Sequence, residues 1–182
     1  MMLPSLAAAT LVSIMVASSA NAAPFALASP TLADGKVLPD IHVYNGYGCQ
    51  GGNISPALSW TVPPAGTKSF AVTVHDPDAP HPGGWWHWLV FDIPASASGL
   101  PANAGSGAGL PAGAVQSKTD FGKPGYGGAC PPPGKPHRYI FAVHALKIAK
   151  LGLKADASPA VVDAAIAQNS LGKATITALY GR

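Results

Sequence analysis

The 182-residue sequence contains no glutamate, and only 10% of its residues are charged, against roughly 25% in an average soluble chain. The formal net charge of +3 is the difference between 11 basic and 8 acidic residues, and the basic residues are scattered singly from Lys36 to Arg182. Because a nucleic-acid site needs a basic stripe along the phosphates, this scatter does not indicate a nucleic-acid partner. Glycine and proline are abundant, with 21 and 19 residues, and they interrupt long helices. We expect one turn-rich, mostly β domain.

The apolar run at the N-terminus, residues 6–17, is too short to span a bilayer as a helix. It is followed by Ala20-Asn21-Ala22, an A-x-A cleavage pattern, although residues 1–5 carry no lysine or arginine. We predict a signal peptide over residues 1–22 and a single mature domain over residues 23–182 without a transmembrane segment. The protein would then be periplasmic or secreted. A disordered or anchoring N-terminus is the alternative.

The sequence has only two cysteines, Cys49 and Cys130. Export into an oxidising compartment favours a disulfide between them. Such a bridge would close a loop of about 80 residues, and the chain-entropy contribution is roughly 4 kcal/mol. A metal-binding pair and two free buried thiols remain open as alternatives.

Short apolar and β-branched runs bounded by turn residues predict a series of strands. Ser69–His75 alternates with a period of two, and Arg138–Ile148 is apolar on both faces, which is typical of a central strand covered on both sides. Ser158-Pro159 predicts the start of a helix that Gly172 ends. The predicted strands are 25–29, 41–43, 57–60, 69–75, 87–93, 115–118, 138–148 and 173–180, and residues 99–113 are predicted to be a long surface loop.

Asp76 and Asp78 stand two residues apart, so in an extended backbone both carboxylates would face the same way. Two such carboxylates need donor groups or cations nearby. His87 follows within the block Trp85–Trp88 and is a candidate for that donor. As alternatives, Asp-Pro-Asp is a turn device and His87 is a satisfied core residue.

A second polar segment, Gly125–Tyr139, combines glycines, prolines, Cys130, His137 and Arg138. Glycines let the backbone approach a ligand closely, and their N–H groups can form an anion-binding nest. An ordinary glycine- and proline-rich surface loop is the alternative.

Together these motifs resemble the phosphatidylethanolamine-binding protein family, and most closely its bacterial branch of Raf kinase inhibitor-like proteins. The resemblance covers essentially the whole predicted mature chain. The matching segments are Gly51–Trp60, Asp76–Pro80, Trp86–Val90, Gly125–Gly128, Cys130–Pro132, His137–Tyr139 and Leu179–Arg182.

The resemblance implies a β-sandwich with short peripheral helices and a small anion-binding pocket. Family ligands include phosphate and phosphorylethanolamine-like head groups. The resemblance also implies a cis peptide bond between Ala79 and Pro80. The residues that it assigns to the pocket are Asp76, Asp78, His87 and His137, with Tyr139 and Gly128 beside them.

We therefore expect a non-enzymatic protein that binds a small anion or a phospholipid head group, without a cofactor or metal. The imidazoles and the glycine-loop N–H groups would donate to the anion. The aspartates would orient the imidazoles and receive an ammonium if the ligand carries one. One alternative is a regulator or inhibitor that binds a partner protein. Another is a metal-dependent hydrolase, because two Asp and two His are acceptable zinc ligands.

Overall fold

The computed structural model describes residues 24–182. The predicted signal peptide and its cleavage site lie outside the described residues. Within residues 24–182, no helix combines the length and the apolar character needed to cross a membrane. The elements are β1 (Ala26–Ala28), β2 (Asn45–Gly46), β3 (Cys49–Gln50), β4 (Leu58–Thr61), β5 (Ser69–Asp76), β6 (Trp85–Pro94), β7 (Gly99–Leu100), β8 (Val115–Gln116), β9 (His137–Leu146), α1 (Pro159–Asn169) and β10 (Ser170–Tyr180).

The main sheet has five antiparallel strands in the order β10-β9-β5-β6-β8. A smaller sheet has the order β1-β4-β7, and β2 and β3 form a separate hairpin. Strand β5 lies at the centre of the main sheet and pairs with both β6 and β9. This architecture confirms the predicted mostly β fold. Strand β5 confirms the strand that the period-two pattern of Ser69–His75 predicts.

Both faces of the main sheet are buried. On one face, Phe70 and Val72 of β5 and Phe141 of β9 pack in a core that includes Trp60 of the smaller sheet. On the other face, a second core packs against Val162 and Ile166 of α1. Burying each large apolar side chain stabilises the fold by about 1.5–3 kcal/mol, so these two layers fix the position of β5 and β9. The prediction that β9 is covered on both sides is confirmed.

Three local predictions are wrong. The helix does not continue to Gly172, because α1 ends at Asn169 and Ser170 already pairs with Leu146 in the main sheet. Residues 41–43 do not form a strand, because a 3-10 helix occupies Asp40–His42 and the His42 ring hydrogen-bonds the Ile54 carbonyl at 2.6 Å. Residues 99–113 are not all loop, since β7 pairs with β4 and a 3-10 helix covers Ala104–Ser106. Strands β4 and β7 approach each other closely at Gly99, where a Cβ would lie 2.4 Å from the Leu58 carbonyl oxygen.

Candidate binding site

A cavity of about 260 Å³ opens where the core faces of β5 and β9 end. Asp76 is the last residue of β5, and alternation places it on the same face as the buried Val74. His137 begins β9 and shares its face with Tyr139, two residues further on. With His87 of β6, these side chains form a buried polar floor, and they are at most 8% exposed. The layer of side chains at this end of the sandwich is therefore polar, whereas the rest of the core is apolar.

A β-bulge directs His87 toward this floor. Val74 pairs with Trp88, whereas the next residue, His75, pairs with Trp86, so His87 is an extra residue in β6. A bulge changes the direction of a side chain that regular alternation would point elsewhere. As a result His87 lines the cavity while Trp88 stays fully buried in the core.

The two floor histidines make different hydrogen bonds. In His137, Nδ1–H donates to Oδ2 of Asp76 at 2.7 Å. The other carboxylate oxygen of Asp76 accepts the Asp78 backbone N–H at 2.9 Å. Nε2 of His137 has no hydrogen-bond partner among the described residues, and it donates only when the ring carries a second proton.

In His87, Nδ1 lies 2.7 Å from the Gly127 carbonyl oxygen and 3.1 Å from that of Gly128. A carbonyl oxygen can only accept, so Nδ1 carries the proton. Burial lowers the pKa of His87 to about 4, and the ring is therefore neutral at pH 7 with a bare Nε2. At neutral pH, His87 offers the ligand an acceptor where the sequence analysis expects a donor.

Tyr139 completes the floor. Its side chain is 1% exposed, and its ring meets that of His87 edge to face with centroids 5.1 Å apart. The hydroxyl makes no hydrogen bond of good geometry with the described residues, and the Asp76 carboxylate is the acceptor beside it. Burial, together with the negative charge of Asp76, raises the pKa of Tyr139, so the hydroxyl keeps its proton.

Asp78 does not join the floor. The Arg138 guanidinium holds its carboxylate with Nη2–Oδ1 and Nε–Oδ2 bonds of 2.7 and 2.9 Å, and this lowers the pKa of Asp78 to about 2. The expectation that both carboxylates face the same way is wrong, because the chain turns at Pro77 and leaves extended geometry. The Asp76 side chain closes this turn by accepting the Asp78 N–H.

The N–H groups of the glycine loop are already used within the protein. The N–H of Gly127 donates to the His87 carbonyl at 2.9 Å, and the N–H of Gly128 donates to Oδ1 of Asn53 at 2.8 Å. A Cβ at Gly128 would lie 2.3 Å from the His42 carbonyl oxygen. Gly128 therefore permits close packing, and the expected nest of free N–H donors at this loop is not present.

The implied cis bond between Ala79 and Pro80 is also not present, since all peptide bonds of residues 24–182 are trans. In the trans form, the His81 N–H donates to the Ala79 carbonyl at 2.7 Å and closes a three-residue turn over Pro80. This turn places Pro80 and His81 along the cavity.

The upper part of the cavity is aromatic, and sequence reasoning missed two of its residues, Tyr47 and Phe121. Tyr47 lies on the β2–β3 hairpin, which the predicted disulfide between Cys49 and Cys130 joins to the loop before β9, with Cα atoms 5.9 Å apart. The disulfide prediction is thus confirmed. In the sequence, the one indication of a role for Tyr47 is its position as a lone aromatic residue between two glycines.

The described residues at the floor of the cavity do not gather a set of metal ligands. Within residues 24–182, no three His, Cys, Asp or Glu side chains converge closely enough to hold a metal ion.

The fold and the cavity define a class of protein, a β-sandwich with a small polar pocket at one end of its main sheet. The family model for Phosphatidylethanolamine-binding protein matches residues 28–181, and the chain belongs to this family. It is 51% identical over 165 residues to UPF0098 protein YbcL of Escherichia coli, covering 89% of this chain and 90% of YbcL. The crystal structure of YbcL, described as a new member of the mammalian PEBP family, superposes with a TM-score of 0.86 and covers 88% of this chain and 99% of that chain.

Two further relatives extend the comparison. UPF0098 protein YbhB of Escherichia coli is 52% identical over 155 residues, which cover 85% of this chain and 98% of YbhB. LppC, a candidate lipoprotein of Mycobacterium tuberculosis, is 37% identical over 161 residues, which cover 87% of this chain and 73% of LppC.

Proposed function

We propose that the protein is an exported, non-enzymatic binding protein whose cavity holds a phosphate group that still carries one proton. Inorganic phosphate and phosphate monoesters such as phosphorylethanolamine supply such a group. The observation that carries this proposal is the pair of unlike histidines on the floor, a neutral acceptor at His87 and an Asp76-bound ring at His137.

A singly protonated phosphate matches this pair in both directions. Its P–OH donates to the bare Nε2 of His87, and its unprotonated oxygens accept from Nε2–H of a doubly protonated His137 and from the Tyr139 hydroxyl. The charge on His137 offsets that of Asp76, so the floor does not repel the anion. A charge-assisted bond of this kind contributes about 1.5–3 kcal/mol.

Two further observations support the remaining parts of the proposal. A binding role is supported by the lining of the cavity, which includes no serine, threonine, lysine or free cysteine, and by the Tyr139 hydroxyl, which keeps its proton. Export is supported by the apolar run before the A-x-A pattern, by the disulfide, and by the relationship to the candidate lipoprotein LppC.

Sulfate is the discriminating probe, because it resembles phosphate but has no proton to donate to His87. We expect calorimetric titration at pH 6 to show that phosphate binds at least about tenfold more tightly than sulfate. This ratio corresponds to one hydrogen bond to His87, which sulfate replaces with a contact between two acceptors. The affinity for phosphate monoesters should fall between pH 6 and pH 8, because these esters lose their second proton near pH 6.

Variants separate the two histidines. His137→Ala should weaken phosphate binding about ten- to a hundredfold. His87→Gln supplies an amide donor at this position, so the ratio of the phosphate affinity to the sulfate affinity should decrease. His75→Gln is the matched control, since His75 lies outside the cavity, where it stacks on Trp86 and bonds the Gly83 carbonyl. Equal affinity for sulfate and phosphate, or unchanged phosphate binding in His137→Ala, would contradict the proposal.

A further inference from the structure

Above the polar floor, three aromatic side chains form what we call the aromatic wall: Tyr47, Trp85 and Phe121. The Trp85 and Phe121 rings are perpendicular, at 87°, with centroids 5.6 Å apart. The Tyr47 ring lies parallel to that of Phe121, at 9° and 6.3 Å. A ligand whose phosphate rests on the floor would bring its organic group against these rings.

Tyr47 is an unusual residue for its position. It is 72% exposed, and its backbone has a φ of 53°, in the left-handed region that favours glycine or asparagine. Among the described residues, Val62 is the other exposed apolar side chain at positive φ, and it does not line the cavity. An exposed aromatic ring on strained backbone is costly to maintain, which points to a role for the ring at the cavity mouth.

Of the residues that line the cavity, Asp76 is the one carboxylate, and it lies on the buried floor, 2% exposed. Both oxygens of Asp76 already accept hydrogen bonds, from His137 and from the Asp78 N–H. The Asp78 carboxylate is held by Arg138 and does not line the cavity. In the proposed mode the phosphate lies over Asp76, so no carboxylate stands beside the aromatic wall to receive a ligand ammonium.

This arrangement distinguishes two kinds of ammonium group. A primary ammonium presents three N–H donors and needs acceptors, but the bare Nε2 of His87 is taken by the phosphate in the proposed mode. A quaternary trimethylammonium has no N–H to satisfy. It binds well against the faces of tryptophan, tyrosine and phenylalanine, where the ring quadrupole attracts the cation.

We infer that the aromatic wall binds a quaternary ammonium, so that the cavity selects phosphocholine-type monoesters over phosphoethanolamine. This inference rests on the proposed function, because the floor must first hold the phosphate. The ligand class is thus a zwitterion with its phosphate on the floor and its methylated cation on the wall.

Four ligands test this inference by calorimetry on the mature protein: phosphate, phosphoethanolamine, phosphocholine and 3,3-dimethylbutyl phosphate, the uncharged carbon analogue of phosphocholine. We expect phosphocholine to bind about tenfold more tightly than phosphoethanolamine and several-fold more tightly than the carbon analogue, as a partly desolvated cation–π contact predicts. Equal affinity for phosphocholine and its carbon analogue, or tighter binding of phosphoethanolamine, would overturn the inference.

Two wall variants and one control locate the effect. Trp85→Leu and Tyr47→Asn should each lower the affinity for phosphocholine about fivefold more than the affinity for phosphate. Tyr47→Asn should change thermal stability little, because the relief of positive φ offsets the loss of the stacking contact between Tyr47 and Tyr44, whose ring centroids are 5.4 Å apart. Val62→Asn is the matched control and should leave both affinities unchanged. An affinity ratio that stays constant in Trp85→Leu and Tyr47→Asn would also overturn the inference.

The same titrations test the role of the aromatic wall and the proposed function separately. If phosphate binds but phosphocholine has no advantage over phosphoethanolamine, only the role of the aromatic wall fails. If neither phosphate nor any of the monoesters binds, the proposed function fails as well.

Discussion

Replacing Tyr139 by phenylalanine removes one hydroxyl and leaves the ring in place. That hydroxyl is buried and makes no hydrogen bond of good geometry with the described residues, although the Asp76 carboxylate lies beside it. A buried polar group without a partner costs about 1–3 kcal/mol, and the phenylalanine variant does not bear this cost. The ligand-free variant should therefore be more stable than the parent protein, by about 1–2 kcal/mol.

Phosphate should affect the parent and the variant differently, because Tyr139→Phe lacks one donor to the ligand. A concentration of about 100 times Kd stabilises the parent protein by about 2.7 kcal/mol. If the variant binds about tenfold more weakly, the same concentration is only about 10 times its Kd and contributes about 1.4 kcal/mol. Phosphate should thus remove most of the stability advantage of the variant.

Urea denaturation with and without phosphate measures both effects on the same preparation. The expected pattern is a higher midpoint for ligand-free Tyr139→Phe and a smaller phosphate-induced shift than in the parent. If the ligand-free variant is less stable, the hydroxyl makes a stabilising bond within the protein, for which the Asp76 carboxylate is the nearby acceptor. If the phosphate-induced shifts are equal, the hydroxyl does not contact the ligand.

Three further predictions concern other parts of the chain. Burial lowers the pKa of His87 and His144 to about 4, below the ordinary value of 6.5. Below pH 6.5 the unfolded chain therefore takes up protons that the folded chain does not. Urea denaturation should show that the free energy of unfolding falls between pH 6.5 and pH 4, by up to roughly 3 kcal/mol per histidine. Equal stability at pH 7 and pH 4 would contradict this prediction. Asp76→Asn should weaken phosphate binding more than Asp78→Asn in calorimetry, because only Asp76 contacts a floor histidine, and the reverse order would be inconsistent with the described floor. Intact mass of the exported protein should correspond to a chain that begins at or near Ala23, whereas a chain that keeps any methionine would rule out cleavage there.

The main features of the fold follow from local patterns in the sequence. The period-two alternation of Ser69–His75 predicts β5, and Ser158-Pro159 predicts a helix with Ser158 as N-cap and Pro159 as first residue, where α1 begins. These predictions succeed because alternation and proline geometry act within a few residues. The failure at residues 41–43 has the opposite cause, since the His42 ring is held by a carbonyl twelve residues away.

The members of the candidate site could be named from motifs, but their roles depend on distant partners. Asp78 looks equivalent to Asp76 in sequence, yet its partner is Arg138, 60 residues later. The direction of His87 depends on a bulge, and a bulge appears only when the register between β5 and β6 is known. Tyr47 and Phe121 reach the cavity from separate loops, and no local spacing brings them together.

The glycine loop shows how a non-local contact can reverse the meaning of a motif. From sequence, Gly127 and Gly128 are candidate N–H donors to an anion, but in the fold their carbonyl oxygens accept from Nδ1 of His87. This contact fixes the tautomer, because the proton on Nδ1 leaves Nε2 bare. The loop therefore acts on a ligand through the imidazole and not through its own backbone. A floor that offered only donors would favour any anion, whereas one acceptor among the donors favours an anion that still carries a proton. In the proposed binding mode, the preference for phosphate over sulfate thus depends on two backbone carbonyls that lie behind the ring.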